Sequence, residues 1–347
     1  MLMKNDIRTL SLDELVAQFE NLQEPKFRAK QVYEWLWAKS ARSFDEMTNL
    51  SKGLRTKLSE QFIFQPVTEN VIQKSKDGTV KLGMKLHDNR LVEGVMIPED
   101  DRSTACVSSQ VGCSLSCSFC ATGFLKRERN LEAGEIYDQV VLLNKYALEH
   151  NSKPLTNIVY MGMGEPLLNY SNVMQSIRII TSPEGLNMAQ KRITVSTSGI
   201  AKGIKRIADE GMKFNLALSL HAATDEKRDR IMDINLTNNL DLVIEALNYF
   251  HEKTGNKVTF EYILFDGFND SQEDASNLIE LYHRVPAFIN IIEYNAVEGV
   301  PYKKAKGEKR DAFVRILRNK GVSVAVRRSR GKDIDAACGQ LANKEGH

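Results

Sequence analysis

No run of 18 or more apolar residues occurs in the 347-residue chain, and a helix that crosses a bilayer needs about 20. The start, MLMKNDIRTLSLDELV, lacks the apolar stretch of a secretory signal peptide. These absences point to a cytoplasmic protein with no membrane partner. Cysteine is scarce. There are five, an odd number, and three fall between positions 113 and 120. That distribution suits metal or catalytic use in a reducing compartment better than a disulfide framework. The six histidines, His87, His150, His221, His251, His283 and His347, are scattered and form no H-x3-H pair, and there is no second CxxC. A formal net charge of +2 gives no bulk signal for nucleic acid.

A hydrophobic content of 42% with 27% charged residues is enough for a folded core. The length allows one large domain plus a small one, or an α/β barrel with additions. Charge is unevenly spread. From Gly299 to His347 there are 13 Lys and Arg against 5 Asp and Glu. Such a patch can attract phosphates, or it can be a solvated helix face and tail.

Residues 1–64 read as helices. Ser11-Leu-Asp-Glu14 and Ser43-Phe-Asp-Glu46 match the capping box. Between them Phe27, Val32, Trp35 and Leu36 lie near helical spacing as core positions, and both tryptophans read as core. The unit carries no chemistry of its own and suits substrate docking. Residues 65–100 alternate like short strands, with turns at Lys76-Asp77-Gly78-Thr79 and His87-Asp88-Asn89-Arg90, and form a β-extension that ends at LVEGVMIPED. Residues 101–341 repeat a strand-then-helix pattern. The strands are STACVSS, NIVYMGMG, RITVSTSG, FNLALSLH, VTFEYILF and FINIIEYN, and VSVAVRRS is one further strand. Apolar strands alternating with amphipathic helices give a parallel sheet. Six units suit an open, partial (β/α)6 barrel of the TIM type, so the fold class is α/β. Residues 342–347 form a tail. Chemistry in such folds gathers at the C-terminal ends of the strands.

Cys113, Cys117 and Cys120 lie in GCSLSCSFCATG, just after the first of these strands. Zinc wants four tetrahedral ligands, usually from two knuckles, and no second knuckle exists. A four-iron cluster normally takes four thiolates, and with three it keeps one open iron that can bind a small molecule. This spacing, with Phe119 before the last cysteine, resembles the motif of the radical S-adenosylmethionine superfamily. There the open iron is chelated by the cofactor's amino and carboxylate groups, and an electron from the cluster gives a 5′-deoxyadenosyl radical. Gly162-Met-Gly164-Glu165-Pro166 resembles the superfamily's GGEP-type segment, whose exposed edge and backbone can hold the cofactor's ammonium group. Ser196, Ser219, Leu220, His221 and Asn295 stand at later strand ends, where small polar groups suit ribose, carboxylate and adenine. Each could equally be an ordinary strand-end cap.

VEGVMIPEDDRSTACVSSQVGCSLSCSFCATG, NIVYMGMGEPLLN, RITVSTSGI, SLHAATDEKRD and DIDAACGQL are similar to segments of the superfamily's RNA adenosine methyltransferases. The resemblance implies methylation at carbon 2 of adenosine in 23S rRNA and in tRNA on the 3′ side of the anticodon. It implies a 4Fe-4S cluster on three cysteines, two S-adenosylmethionines per turnover, an electron donor such as flavodoxin or ferredoxin, and a monomer. Carbon 2 is an electron-poor sp² centre that cannot attack a sulfonium methyl, so a radical route is needed. On this reading Cys338 accepts a methyl as a thiolate and carries it to the RNA. Cys106 helps remove the carbon-2 proton and releases the product by forming a disulfide with Cys338. Glu93 matches a glutamate assigned as proton acceptor. Taken without the resemblance, Cys106 reads as a small buried residue in a strand between Ala105 and Val107, and Glu93 as a solvent-facing strand residue. Lys126, Arg127, Arg129 and the run Arg327-Arg328-Ser-Arg330-Gly-Lys332 are the candidates for RNA phosphates. The alternatives are the related carbon-8 methyltransferases and a zinc protein that binds RNA without catalysis.

Overall fold

The computed structural model describes residues 4–343. Met1–Met3 and the end of the tail, with His347, lie outside the described residues. The N-terminal unit comprises β1 (Asn5–Asp6), α1 (Leu12–Asn21), α2 (Lys26–Trp37), α3 (Lys52–Gln61) and β2 (Phe62–Ile63). β1 pairs in parallel with β2 and closes the unit on itself. Ser11 begins α1 through the expected capping box with Glu14. The second predicted box does not start a helix. Residues Phe44–Glu46 make a single 3-10 turn, because the Ser43 hydroxyl donates to Glu46 and so does not cap a backbone N–H. The next helix, α3, is capped instead by Ser51. Phe27 is 54% exposed, contrary to its reading as core. Trp37 is buried edge-on against Tyr137, with ring centroids 5.0 Å apart, whereas Trp35 is half-buried and bonds Asn49.

Arg8 fastens this unit to the barrel. It pairs with Asp6 and with Asp138 of α4 (Ala133–Asn151), and it also donates to the Gln65 carbonyl. All three charged side chains are less than a tenth exposed. A buried ion pair adds geometry more than net stability, but it is costly to break.

β3 (Thr68–Lys74), β4 (Val80–Lys85), β5 (Leu91–Glu99) and β6 (Arg102–Cys106) form antiparallel hairpins. Gly78 and Asn89, both at positive φ, turn the first two. A separate two-stranded pair, β7 (Gln110–Val111) and β8 (Arg129–Asn130), follows. Next come β9 (Asn157–Tyr160), β10 (Ile193–Thr197), β11 (Asn215–Ser219), β12 (Val258–Leu264), β13 (Ala287–Glu293) and β14 (Val324–Arg327). The sheet order is β14-β13-β12-β11-β10-β9-β6-β5-β4-β3. Every neighbouring pair of the large sheet from β6 to β14 is parallel, and VSVAVRRS, the one further strand expected, supplies the seventh parallel strand. The sheet stays open, with β14 and β3 at its edges. The β-extension shares this sheet through the β5–β6 pairing rather than standing apart.

The crossovers are α4, α5 (Tyr170–Thr181), α6 (Ala201–Asp209), α7 (Asp225–Asp229), α8 (Leu240–Thr254), α9 (Gln272–Arg284) and α10 (Gly307–Asn319). Strand alternation divides the side chains. In β12, Phe260, Tyr262 and Leu264 are buried toward the helices, while Thr259, Glu261 and Ile263 line a central cavity. Among the described residues no helix is long and apolar enough to cross a membrane.

Candidate active site

The cavity has a volume of about 780 Å³ and runs along the inner face of the parallel strands, from Asn157 and Thr194 near their starts to Glu165, Ser198 and His221 beyond their C-terminal ends. Cys106, Cys113, Cys117, Cys120 and Cys338 all line it. The loop with the three clustered cysteines is held at its base by the β7–β8 pair and by a bridge between Cys113 and Lys126. Gly112 is required there. Its φ is +71°, and a Cβ would sit 2.2 Å from the Lys126 carbonyl oxygen. Gly123 also packs tightly on Cys117, where a Cβ would fall 2.7 Å from the backbone oxygen. Phe119 anchors the loop tip. It is buried beside Phe265 and edge-on to His221, with centroids 4.9 Å apart.

Burial raises all three thiols. Cys113 is pushed up to about 11, while Cys117 and Cys120 also rise, and neighbouring cysteines add to the effect. Opposing this, N–H groups point at the sulfurs. Leu115 donates to Cys113 Sγ at 3.4 Å, and Gly123 and Thr122 face Cys120. Donors aimed at buried sulfur favour thiolates once a cation binds. Among the described residues no three His, Cys, Asp or Glu side chains converge where one ion could sit. A cubane spreads its thiolates over separate irons and needs no such point. The loop therefore fits a cluster better than a lone zinc ion.

The facing wall comes from the strand ends. Gly162 and Gly164 run against Val107 and Gln110 too closely for side chains. Glu165 is buried rather than exposed. Its two carboxylate oxygens accept from Leu167 N at 3.1 Å and Ser198 N at 2.8 Å, and burial raises its pKa. Ser196 and Ser219 meet at 3.3 Å between hydroxyls. His221, at φ +57°, accepts from Ile263 N through Nδ1. Burial, helped by Arg228, lowers its pKa to about 3. The ring is thus neutral, with its proton on Nε2. Gly164, Glu165, Ser196, Ser219 and His221 all line the cavity, but Leu220 and Asn295 do not. Leu220 points into the core, and Asn295 donates to the Cys338 carbonyl at 3.5 Å. Among the described residues, two buried oxygens in the cavity wall, Ser198 Oγ and Glu261 Oε2, lack a hydrogen-bond partner, although Arg327 lies 3.8 Å from the second. Buried groups without a hydrogen bond facing a cavity suit a polar ligand such as S-adenosylmethionine.

Cys106 and Cys338 form the other focus of the cavity. Burial, with Cys338 nearby, pushes Cys106 up to about 12, and Arg327 opposes this. Arg327 is itself raised, chiefly by Cys338 and further by Glu261, whose carboxylate lies 3.8 Å away. Glu93 does not line this cavity. It is buried on β5, and its carboxylate accepts from Ala342 N and Asn343 N. Among the RNA candidates, Lys126 and Arg127 are exposed, and Arg328 and Arg330 stand exposed at the cavity wall. Arg129 is not free for phosphate, because Glu135 and Asp88 hold its guanidinium. Lys332 pairs with Glu293. Sequence reasoning missed Arg228, Glu261 and Asn290. A charged Glu inside the apolar run VTFEYIL was the available signal.

Two family models match the chain. One is the radical SAM superfamily, over residues 107–279, and the other is the ribosomal RNA large subunit methyltransferase N-terminal domain, over residues 5–64. The chain is 58% identical to a probable dual-specificity RNA methyltransferase RlmN of Cytophaga hutchinsonii, covering 99% of this chain and 94% of that protein. It is 43% identical to the dual-specificity RNA methyltransferase RlmN of Desulfotalea psychrophila, covering 99% and 96%. The crystal structure of a radical SAM methyltransferase from Sphaerobacter thermophilus superposes with a TM-score of 0.93 at 40% identity, covering 99% of this chain and 100% of that one. With a cysteine loop suited to a cluster and near-complete coverage by these relatives, the chain belongs to the RlmN family of the radical S-adenosylmethionine superfamily.

Proposed function

We propose that the chain methylates carbon 2 of adenosine in 23S rRNA and in tRNA, using Cys338 as methyl carrier and Cys106 as resolving thiol. At the coarser level it is a radical S-adenosylmethionine RNA methyltransferase, which uses an iron–sulfur cluster and S-adenosylmethionine. One observation carries the finer reading. Two cysteines outside the cluster loop line the same cavity as that loop, with a guanidinium beside them.

Cys113, Cys117 and Cys120 would hold the cluster as its three ligands. Glu165, Ser196, Ser198, Ser219 and His221 would line the cofactor. When bound, these groups supply a methyl carbon and one-electron cleavage of the sulfonium, two cofactor molecules being used per turnover. Arg327 favours the anionic form of Cys106, which is the nucleophilic form. Cys106 rests as a thiol because it is buried. As a thiolate it takes the carbon-2 proton and becomes a thiol again; once that proton has passed to water, the regenerated thiolate attacks the Cys338 sulfur. That step makes the S–S bond and breaks the bond from sulfur to the RNA methylene. The carbon keeps the electron pair and gains a proton to become the methyl. Lys126, Arg127, Arg328 and Arg330 would contact phosphates near the cavity mouth, and residues 1–64 would dock the RNA. An external one-electron donor, a monomeric state and a cytoplasmic location complete the reading.

The test is mass spectrometry of nucleosides from both RNA classes after reaction with the purified enzyme. The expected product is 2-methyladenosine, and 8-methyladenosine alone would overturn the carbon-2 assignment. Cys338→Ala should abolish turnover and protein-bound methyl label. Cys106→Ala should trap the covalent RNA adduct.

A further inference from the structure

The segment after β14 carries Cys338, and it is pinned at both ends by the β-extension. At its near end, the β3–β4 turn grips Gly331 and Asp333. Ser75 Oγ donates to Asp333 Oδ1 at 2.5 Å and Lys76 N to Oδ2 at 3.2 Å, while Gly331 N donates to Asp77 Oδ2 at 3.0 Å. At its far end, Glu93 Oε2 accepts from Ala342 N at 2.8 Å and from Asn343 N at 3.2 Å. Asn343 Nδ2 adds a bond to the Leu91 carbonyl at 2.8 Å. Lys81, on the paired strand β4, stands 3.5 Å from the other Glu93 oxygen, and both side chains are only 7% exposed. Between these clamps the chain arches over the cavity. It touches the cluster loop through Ala121 N to the Gly339 carbonyl and Thr122 Oγ1 to the Leu341 carbonyl, both at 2.7 Å.

Glu93 shares its sheet face with Cys106, since Val95 lies directly opposite Cys106 and Glu93 stands two residues along. It nevertheless does not line the cavity that holds the thiols, and its carboxylate meets Ala342 N and Asn343 N instead. A buried carboxylate held by a cation and two backbone N–H groups is poorly placed to collect a proton from a base in the cavity. It is well placed to fix the backbone that follows Cys338.

We propose that the β-extension is a bracket for the Cys338 segment, and that Glu93 is its positioning residue, acting through Ala342 and Asn343 rather than as proton acceptor. This rests on the reading of Cys338 as methyl carrier. The bracket holds the sulfur in register with the cluster loop on one side and Cys106 on the other. Misplacing a reacting group by about 1 Å can cost about 100-fold in rate.

The experiment uses the cluster-loaded full-length enzyme and reads two quantities. The first is amide hydrogen exchange over residues 336–343. The second is the rate of S-methylation of Cys338 with labelled S-adenosylmethionine before any RNA is added. Glu93→Ala should speed exchange at Ala342 and Asn343 by about tenfold or more, the effect of losing a charge-assisted hydrogen bond. It should also slow S-methylation by about 10- to 100-fold. Glu93→Gln keeps an oxygen for the two N–H groups but cannot take up a proton from carbon 2, and it should lie closer to wild type in both readouts. Asp333→Ala loosens the same arch from its other end and should reproduce the slower S-methylation, which covers the case of Glu93→Ala failing to fold. Wild-type exchange and S-methylation in the Glu93 variants, with covalent RNA adduct accumulating in both, would overturn the proposal and restore the proton-acceptor role. Failure of the methyl-carrier reading shows up separately, as methyl label that persists in Cys338→Ala.

Discussion

Arg228 has no exposed surface, and its side chain reaches four acceptors. Nε donates to the Leu220 carbonyl at 3.2 Å and Nη1 to Asn235 Oδ1 at 2.6 Å. Nη2 serves the carbonyls of Ser198 and Ser219. These carbonyls belong to the ends of β10 and β11, the wall that carries Ser196, Ser219 and His221. Burial lowers its pKa to about 10, so the group stays charged at neutral pH, helped by Asp225 and Asp229. Arg228→Met fills similar space but leaves the acceptors unpaired, at about 1–3 kcal/mol each. Relief from burying a cation offsets several kcal/mol of that. The expected net loss is about 3 kcal/mol of stability, with S-adenosylmethionine affinity down by about tenfold or more as the strand ends shift. Arg228→Lys cannot fork between two strand ends and should recover little. Urea denaturation and equilibrium dialysis of the cofactor on cluster-loaded enzyme measure both effects. An Arg228→Met protein within about 0.5 kcal/mol of wild type, with unchanged affinity, would refute the idea that this guanidinium builds the wall.

His221 makes stability depend on pH. Its folded pKa, about 3, lies below the unfolded value of 6.5. The unfolded chain therefore gains a proton first as pH falls, and stability is lost progressively below about pH 6.5. From pH 8 to pH 5 the loss is about 2 kcal/mol, and His221→Asn, whose amide oxygen can accept the Ile263 N–H, should lose that much less over the same range in denaturation curves. Gly112→Ala forces a side chain against the Lys126 carbonyl at a positive φ and should cost about 2 kcal/mol or more. Iron analysis should find less than a full cluster per chain, and full occupancy would refute the need for glycine. Lys126→Ala and Arg127→Ala should each lower the salt dependence of RNA binding by about one phosphate contact, a slope change of about 0.7–0.9. Arg129→Ala should leave that slope alone and destabilise the fold by about 2 kcal/mol, since it frees the buried Glu135 carboxylate.

The sequence disclosed what local rules govern. The capping box at Ser11, the glycine and asparagine turns of the extension, the seven parallel strands and the C-x3-C-x2-C loop follow from short-range chemistry or from alternation along one strand. The limits of that reading have the same origin. Leu220 and Asn295 do lie at strand ends, as expected, but the end of a strand fixes where a residue sits and not where its side chain points. The turn at His221, with its positive φ, sends the imidazole into the cavity and leaves Leu220 in the core. Arg129 looked like a phosphate ligand because its partners, Asp88 and Glu135, belong to other elements. Arg228 and Glu93 were opaque for the same reason. The first serves carbonyls on neighbouring strand ends, and the second meets a backbone 249 residues away.

Those long-range bonds fall into two groups with different consequences for catalysis. The wall proposed for the cofactor is made of strand ends locked by Arg228, Asn269 and Glu165 through buried hydrogen bonds, so it has little freedom to move. The Cys338 segment has no regular strand or helix beyond one 3-10 turn among the described residues, and it is held by bonds at its two ends and at the carbonyls of Cys338 and Gly339. On the proposed reading its sulfur meets a methyl donor, then adenine, then Cys106, three partners that cannot share one position. A rigid strand end could serve only one of them. An arch anchored at residues 331–333 and 342–343, and tied at Cys338 and Gly339, keeps the backbone in register and leaves rotation of the Cys338 side chain to present the sulfur to each partner inside the cavity.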